Sequence, residues 1–506
     1  MNHKLLLGSL IGSLLLAMPI WSLDERIEVG NVADLNLNFL RDLIQNVEKG
    51  QPPVPEGDTI TLTLEQALEV TLKNNFDLQI QTLARDSLIP EIAAQEAKFD
   101  PTSNASFGFG SDLTVDRSSG GERDRLNSYS PQVGLTQLLP TGGSIELSTS
   151  ASHDTDQQGP NSWESRAGVI FNQPLLRGGR IFVARRDIQD AKYNLEIENA
   201  VLRATILDIT AKTKTAYYLA QLSKRIILAT EQSIERDQEL VESSTALFKA
   251  GRGGRRDVVS AQLQLSDDLA RLAEQTGDLQ LSQNTLRDVL GLPISTQVVL
   301  AENNLNFEPI PLKVEEWIQL AMQYRPELME ISTELKKSDL DVRVKENALL
   351  PTLNLRGSFD AFSQSGTTRF NDAWDLDQQA VTAGLEFEFP LGNVAAKSSL
   401  STARLNRDRV QKRYENQQRQ IELLVREAAI VLDTRMQLIK PLTDAVEQAR
   451  EKHEVATVRF KLGLANNLDI TDSQTELLDA EISLLDAIAQ YAIALAELEA
   501  RIGSTI

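Results

Sequence analysis

Leucine, replaced once by tyrosine, recurs every seven residues along two segments of the chain. The repeating positions are Leu265, Leu272, Leu279 and Leu286, then Leu477, Leu484, Tyr491 and Leu498. A period of seven sustained over this length is typical of supercoiled helices that pack on other helices. The pattern predicts helices over residues 62–99, 184–249 and 255–290, and again over 312–349, 395–461 and 467–502. Pro441 lies inside one of these segments and predicts a kink or a local break there.

The predicted helix lengths are matched. At about 1.5 Å per residue, the helix over 184–249 spans about 100 Å, and the two shorter helices laid end to end span about the same length. Two short helices stacked beside one long helix would form a double rod of uniform length. The second set of three helices predicts a second such rod.

Between the helices the hydrophobic period changes from seven to two. In the clearest segment Val381, Ala383, Leu385, Phe387 and Phe389 alternate with residues that include Thr382, Glu386 and Glu388. One apolar face opposite a carboxylate-bearing face, about 10 residues long, is typical of a membrane β-barrel strand with a wet interior. A half-buried strand of a soluble sheet would show the same alternation. Strands are expected within 102–173 and 352–389.

The chain is also internally duplicated. Leu64 to Leu78 matches Val314 to Leu328 in pattern at a shift of 250 positions, and Phe248 to Gly251 matches Phe460 to Gly463 at a shift of 212. A duplicated chain indicates a closed, pseudo-symmetric architecture rather than a single enzyme cleft. We place the first repeat at 59–300 and the second at 301–506.

Composition removes several classes of function. The 506 residues include no cysteine, so thiol nucleophiles and zinc–thiolate sites are excluded, and the three histidines are far apart. The formal net charge of −21 argues against a basic surface that binds nucleic acid. No nucleophile–histidine arrangement, phosphate loop or metal spacing is visible, so neither an enzyme nor a cofactor is expected.

The N-terminus predicts export from the cytoplasm. Lys4 precedes an apolar stretch from Leu5 to Ala17, which is typical of a signal peptide, here placed at 1–22. Residues 23–58 form an N-terminal extension with a Pro-rich linker and lie outside the duplication. No other apolar stretch is long enough for a transmembrane helix, so any membrane crossing is expected to be made by strands.

Taken together, these motifs resemble the TolC family of outer-membrane efflux proteins. The resemblance rests on the opening of each repeat, on Phe171 to Leu176, and on the F-K-x-G…D-V/I turn of each helical hairpin. It implies a mainly α fold with a transmembrane β part: a trimeric α-barrel tunnel capped by an outer-membrane β-barrel. The homotrimer would sit in outer-membrane lipid, extend into the periplasm, and engage a periplasmic adaptor and an inner-membrane pump. It would passively conduct the substrates of a tripartite efflux or type I secretion system.

The same resemblance directs attention to the hairpin tips. The resemblance implies a periplasmic gate formed by a ring of acidic residues, at the positions of Asp469 and Asp472. Both residues could instead be acids that are simply favoured near a helix N-terminus. Where the best-known member has a tyrosine and an arginine, this chain has Phe460 and Ala465. The first tip instead clusters arginines, which we expect either to latch onto the acids of the second tip or to contact the adaptor. The tip residues in question are Gly251, Arg252, Arg255, Arg256, Asp257 and Gly463.

The first repeat carries about 34 extra residues between Pro101 and Pro174. Gln132 to Leu139 and Ser144 to Ala151 alternate on either side of a turn that begins at Pro140. Family members typically supply four strands per protomer, whereas this chain offers four plus two. An 18-stranded trimer barrel and a surface hairpin above a 12-stranded barrel both fit. In the enlarged barrel the Pro140 turn would face the periplasm, with loops near 116–128 and 152–165 facing outward.

A different class of protein also has long coiled coils. A periplasmic coiled-coil adaptor or structural rod would explain the heptads. Such an adaptor would carry one hairpin in a small β domain, not two copies with their own strands. We therefore expect the channel rather than the rod.

Overall fold

A computed structural model describes residues 59–116, 122–155, 162–301, 307–363, 376–462 and 464–504. The helices are α1 (Leu64–Asn74), α2 (Phe76–Glu96), α3 (Ile181–Ala184), α4 (Arg186–Lys249), α5 (Arg255–Leu290), α6 (Val314–Tyr324), α7 (Pro326–Asn347), α8 (Val394–Lys461) and α9 (Asn467–Ile502). The strands are β1 (Thr59–Leu62), β2 (Thr102–Asp116), β3 (Glu122–Leu138), β4 (Ser144–Thr155), β5 (Ser162–Pro174), β6 (Gln297–Leu300), β7 (Thr352–Phe362) and β8 (Gln378–Glu388). The predicted signal peptide, the predicted extension at 23–58 and Gly463 lie outside the described residues.

The double rod predicted from helix lengths is present in both repeats. The end of α5 meets the junction of α1 and α2, where the Asn75 side chain donates a hydrogen bond of 2.9 Å to the Val289 carbonyl. Gly291 ends α5 at φ 65°, and a Cβ there would lie 2.3 Å from the Asn74 carbonyl oxygen. In the second repeat the Arg325 guanidinium donates a hydrogen bond of 2.9 Å to the Ala500 carbonyl near the end of α9. Short helices therefore stack end to end beside α4 and α8.

The first predicted helix of each repeat is in fact two helices. The segment 62–99 breaks at Asn75, whose extended backbone ends α1 and whose side chain accepts a hydrogen bond from the Leu78 N–H to begin α2. The segment 312–349 breaks at Arg325, because the following Pro326 disfavours a helical conformation at the residue before it. Hydrophobic periodicity continues through both breaks and therefore does not reveal them.

Pro441 does not break α8, contrary to that part of the prediction. The helix is continuous from Val394 to Lys461 with the proline inside it. The 68-residue helix packs along its length against neighbouring helices, and tertiary packing of this kind offsets the loss of one backbone hydrogen bond.

The predicted heptad positions are buried or half-buried. In the second repeat Tyr491 and Leu498 join Trp317 and Leu432 in the largest core cluster of the described chain. In the first repeat Leu286 packs with Leu290 beside the short parallel pair of β1 and β6. The cores therefore run as seams between helices, as a coiled coil requires.

One antiparallel sheet takes strands from both repeats. Its order is β2-β3-β4-β5-β7-β8, so the two strands of the second repeat continue directly from those of the first. The four strand segments predicted in the first copy are all present. The extra residues form the hairpin of β3 and β4, which lies between the two strands that both copies share.

The loops predicted near 116–128 and 152–165 are shorter than expected. Strand pairing extends to Asp116 opposite Glu122, and β4 and β5 continue to Thr155 and from Ser162. Arg123 and Asp124 are adjacent polar residues, so the sequence lacks the alternation of apolar and polar positions that predicts a strand there. Pairing with β2 holds them in strand conformation nonetheless.

Candidate functional site

The six-stranded sheet has one apolar face and one polar face. In-register pairing places residues of odd number on one side and of even number on the other across every strand. Exposed apolar side chains on the odd face include Phe107, Phe109, Val133, Val169, Phe359, Val381, Leu385 and Phe387. Val381 is 76% exposed and Phe387 65% exposed. An apolar surface of this extent needs an apolar surrounding, which lipid provides.

The even face is hydrogen-bonded and charged. Arg356 on β7 pairs with Glu386 on β8 at 2.9 Å, and the Ser358 and Thr382 hydroxyls are 2.7 Å apart. Strands β3 and β4 contribute Gln132, Thr136, Glu146, Ser148 and Ser150 to the same face. Side chains of this kind are typical of the wet interior of a membrane barrel.

Aromatic rings cross four strands at the end of the sheet away from the helices. Phe109, Tyr129, His153 and Trp163 are register neighbours on the apolar face. The Phe109 and Tyr129 ring centroids are 5.2 Å apart, and those of His153 and Trp163 are 4.0 Å apart and stacked. Rows of aromatic rings mark the level of the lipid headgroups in membrane barrels.

At the opposite end of the molecule, α4 and α5 meet in the first helical tip. Gly251 has a φ of 72°, a conformation that favours glycine, and allows the chain to reverse after α4. The Asp257 carboxylate accepts a hydrogen bond of 3.0 Å from the Gly254 N–H, which caps α5. Arg252, Arg255 and Arg256 project exposed from this turn.

In the second tip, between α8 and α9, the two candidate gate acids differ in their hydrogen bonding. The Asp469 carboxylate accepts a hydrogen bond of 3.0 Å from the Asn466 N–H, and the Asn466 side chain accepts one of 3.0 Å from the Asp469 N–H. This reciprocal capping box gives Asp469 a role in starting α9. Asp472 is exposed and has no hydrogen bond or ion pair to any described residue.

Asn467 joins the two tips. Its side chain is 1% exposed, donates a hydrogen bond of 2.6 Å to the Asp257 carbonyl and accepts one of 3.3 Å from the Ser244 hydroxyl. Beside it, a buried cluster with Phe460 packed against it consists of Leu240, Ala261, Ala456 and Ile470. Phe460 thus acts as a packing residue between the hairpins.

Comparison with known proteins decides the family. The family model "Outer membrane efflux protein" matches residues 142–292 and 317–504, more than half of the chain. The chain belongs to the outer membrane efflux protein family. The outer membrane efflux protein BepC of Brucella suis is 22% identical over 379 residues, covering 72% of this chain and 76% of that protein. The outer membrane protein TolC of Escherichia coli is 22% identical over 383 residues, covering 72% and 75%.

Solved structures of similar fold are also known. The outer-membrane channel OprN has a TM-score of 0.64 at 16% identity, covering 91% of this chain and 95% of that chain. The Campylobacter jejuni CmeC outer membrane channel has a TM-score of 0.64 at 14% identity, covering 93% and 88%. The family match confirms the resemblance and the location in the outer membrane, and the solved structures confirm the mainly α fold with a β part. The adaptor or rod alternative is not favoured.

Sequence reasoning missed a buried acid pair in this efflux protein. Asp237 on α4 is 0% exposed and lies beside Asp268 on α5, which is 1% exposed. Burial and the neighbouring Asp268 carboxyl raise the pKa of Asp237 to about 7. The available signal was Asp268 itself, three residues after the heptad position Leu265 and therefore on the same helix face.

Three further features are absent from the part of the chain that the structure describes. Among the residues described, no ion pair joins Arg252, Arg255 or Arg256 to Asp469 or Asp472. Within the described residues, no group of three histidine, aspartate or glutamate side chains could hold a metal ion. No described helix combines the length and the apolar character needed to cross a membrane.

Proposed function

We propose that three copies of this chain form one duct that conducts cargo passively from the periplasm through the outer membrane. An inner-membrane pump would supply the energy and select the cargo, and a periplasmic adaptor would hold the pump against the helical tips. The duct would carry out no catalytic step. The observation that carries the proposal is the sheet with one apolar and one polar face, joined to paired rods about 100 Å long.

Closure of the barrel requires more than one copy. The sheet ends at β2 on one side and β8 on the other, and each has one edge without a partner among the described strands. Unpaired backbone groups are too costly in lipid, and closed membrane barrels start at about eight strands. Six strands therefore call for at least two protomers, and the family resemblance supports three. The β8 edge of one protomer would pair with the β2 edge of the next.

The tips are the part of the duct available to the periplasmic partners. They lie at the end of the rods that is remote from the sheet, so they would extend farther into the periplasm than any other part of the channel. Arg255 and Arg256, with Val259, Ser260 and Leu263, line an open depression on α5. A mixed basic and apolar surface suits a protein partner better than it suits water alone. We therefore assign the arginine cluster to adaptor contact rather than to a latch within one protomer.

Membrane extraction and conductance test the proposal together. We expect the protein to leave outer membranes only with detergent, to have the native mass of a trimer, and to form ion-conducting channels in planar bilayers. Release by salt alone, or a monomer without conductance, would contradict it. Co-purification of an adaptor and a pump with the wild type, and their loss from a variant with the arginines of the tip reversed in charge, would test the partner assignment.

A further inference from the structure

The β3–β4 hairpin is built into the sheet and does not stand above it. All 15 residues of β2 pair with β3, from Thr102 with Thr136 to Asp116 with Glu122. On the other side β4 pairs with β5 from Ser144 to Asp154. A surface hairpin would leave β2 and β5 to pair with each other, and here they are separated by two strands.

The turn of this hairpin is fixed at the helical end of the sheet. The Thr141 hydroxyl donates a hydrogen bond of 2.7 Å to the Gln173 side chain, whose amide donates one of 3.1 Å to the Thr141 carbonyl. Gly142 has a φ of 85°, and a Cβ there would lie 2.3 Å from the Gly178 carbonyl oxygen. The turn is therefore held against the segment that leads into α4, on the periplasmic side that the sequence predicts.

The hairpin also has the two faces of the shared strands. Leu135 and Leu147 are register partners on the apolar face, next to Val133 and Val169. Thr136 and Glu146 are partners on the polar face, with Gly134 and Ser148 as the next pair. The apolar side of the hairpin is therefore continuous with the apolar face of β2 and with the apolar face of β5.

Six strands also match the helical wall in width. At any level the protomer presents about four helices side by side, which occupy about 36 Å at the usual interaxial distance. Six strands spaced about 4.8 Å apart and tilted by about 40° occupy about 38 Å, whereas four occupy about 25 Å. A four-stranded protomer must therefore narrow where its helices join its sheet, and a six-stranded one need not.

We propose that the β3–β4 hairpin widens the outer-membrane barrel to the diameter of the helical tunnel. The trimer would then have an 18-stranded barrel that admits bulky, hydrated cargo. The inference rests on the proposed trimeric duct. The part of the lumen that the hairpin adds carries hydroxyl and amide groups, from Gln132, Thr136, Ser148 and Ser150, and the carboxylate of Glu146. Such a lining binds water and polar groups, and its only charged side chain among those named is that of Glu146. It suits large polar solutes or polypeptide and glycan chains rather than small apolar compounds.

Single-cysteine labelling tests whether the hairpin spans the membrane. The chain has no cysteine, so each introduced thiol is the only one present. In outer membranes, Leu135→Cys and Leu147→Cys should react with a lipid-soluble maleimide and be protected from a water-soluble one. Thr136→Cys and Ser148→Cys should show the reverse. Phe387→Cys and Glu386→Cys are matched controls on β8, outside the hairpin.

The controls separate two kinds of failure. If Phe387→Cys reacts from lipid while Leu135→Cys and Leu147→Cys react only from water, the hairpin does not span and the inference is overturned, but the channel stands. If Phe387→Cys also reacts only from water, the membrane sheet itself is wrong and the proposed function fails.

Polymer exclusion measures the gauge of the exit. Polyethylene glycols of graded size are added to the extracellular side of planar bilayers that contain the wild type or a variant lacking residues 122–155. Barrel diameter grows roughly in proportion to strand number, so the wild type should admit polymers of about 1.5 times the radius that the variant admits. Equal size limits would overturn the inference. If the variant does not insert into the bilayer, the wild type alone decides. The inference is then overturned if the largest polymer that enters the wild type is no larger than a 12-stranded barrel would admit.

Discussion

The carboxyl groups of Asp237 and Asp268 face each other between α4 and α5, where water does not reach. Both oxygens of Asp237 and one of Asp268 have no hydrogen-bond partner among the described residues, whereas Gln264 donates a bond of 3.3 Å to the remaining oxygen of Asp268. One proton shared between the two groups satisfies this arrangement, and a fully ionised pair does not. The Arg236 guanidinium is the nearby charge that opposes the shift in pKa.

We predict that Asp237→Asn raises stability at neutral pH. The unfolded carboxyl loses its proton near pH 3.8, whereas the folded one keeps it up to about pH 7. The folded state therefore binds more protons between these values, and its free energy of unfolding falls as the pH rises from about 4 to 7. Asp237→Asn removes this loss, which is on the order of a few kcal/mol. The variant should have a higher Tm than the wild type at pH 8 and a similar Tm at pH 4.

Asp267→Asn is the matched control for this prediction, because Asp267 is the exposed neighbour of the buried Asp268. It should follow the wild-type curve at every pH. A wild-type Tm that does not fall between pH 4 and 7 would contradict the shared proton.

We also predict that the two acids of the second tip differ in function. Asp472→Asn should weaken block by multivalent cations in planar bilayers, because its exposed carboxylate has no partner in the described protomer. Asp469→Asn should have a smaller effect on block, and Asp469→Ala should destabilise the tip by about 1 kcal/mol through loss of the capping box. Asp257→Asn, at the equivalent cap of the first hairpin, is the control. Block unchanged in Asp472→Asn would remove this acid from the gate.

Among elements, the two helical hairpins are coupled at their tips by one buried side chain. Asn467 lies at the start of α9 yet bonds to the backbone of α5 and to Ser244 of α4. A buried polar side chain whose groups are paired in this way fixes one relative placement of the hairpins. The tip of one hairpin is thus held by the other through neutral hydrogen bonds.

Asn467→Ala should therefore loosen both tips. The substitution removes both hydrogen bonds of Asn467, each of which contributes about 0.5–1.5 kcal/mol. We expect faster amide hydrogen exchange in the first turns of both α5 and α9, and a higher basal conductance. Ser244→Ala removes only the weaker of the two bonds and should have a smaller effect on both measurements. Faster exchange confined to α9 would show that Asn467 caps its own helix and does not couple the hairpins.

The arginine cluster supplies a second prediction at this scale. Reversal of charge at Arg252, Arg255 and Arg256 should abolish export while single-channel conductance stays unchanged, as expected for an adaptor contact. Increased conductance would instead assign the arginines to a latch between protomers. Reversal of Arg271, a half-buried arginine of α5 that pairs with Asp479 at 3.0 Å, is the control away from the tip.

Elements were more predictable from the sequence than the contacts between them. The bounds of α5 and α9 agree with prediction because heptads, a glycine-rich turn and a terminal glycine all act locally. The breaks at Asn75 and Arg325 could not be read from hydrophobicity, since they serve to let α5 and α9 stack against the adjoining helices. The Asp237–Asp268 pair was missed for the same reason: its partners come from two helices that only the hairpin brings together.

For the whole molecule, the open edges of the sheet are the most consequential feature. Strands β2 and β8 end the sheet on either side, and in lipid both must find partners. On the proposed function, the duct therefore exists only as an assembly, with each protomer completing the sheet of the next. The long rods, packed in the same order around the axis, would set the number of copies that close the ring.

We predict that cysteine pairs placed on these two edges form disulfides only between protomers. One cysteine is scanned over the apolar-face positions of β2 from Ser103 to Phe109, and the other over those of β8 from Gln379 to Leu385. Each productive pair joins one protomer to the next, so mild oxidation should give a ladder on denaturing gels that ends at the covalent trimer.

The control for this prediction is a pair within one protomer. Leu135→Cys and Leu147→Cys lie opposite each other on β3 and β4, so a disulfide between them should leave the size of the denatured chain unchanged. A ladder from the edge pairs that stops at the dimer would contradict three-fold closure.

The inserted hairpin also has a consequence for how such proteins can diversify. It begins and ends at the outer end of the sheet, so its gain or loss leaves the attachments of β2, β5 and every helix in place. It adds strands in pairs, which preserves antiparallel order, and its two faces agree with those already present. A single insertion or deletion of DNA encoding residues 122–155 could therefore reset the width of the membrane pore in one step. The partners proposed to bind the helical tips, about 100 Å away, would not have to change with it.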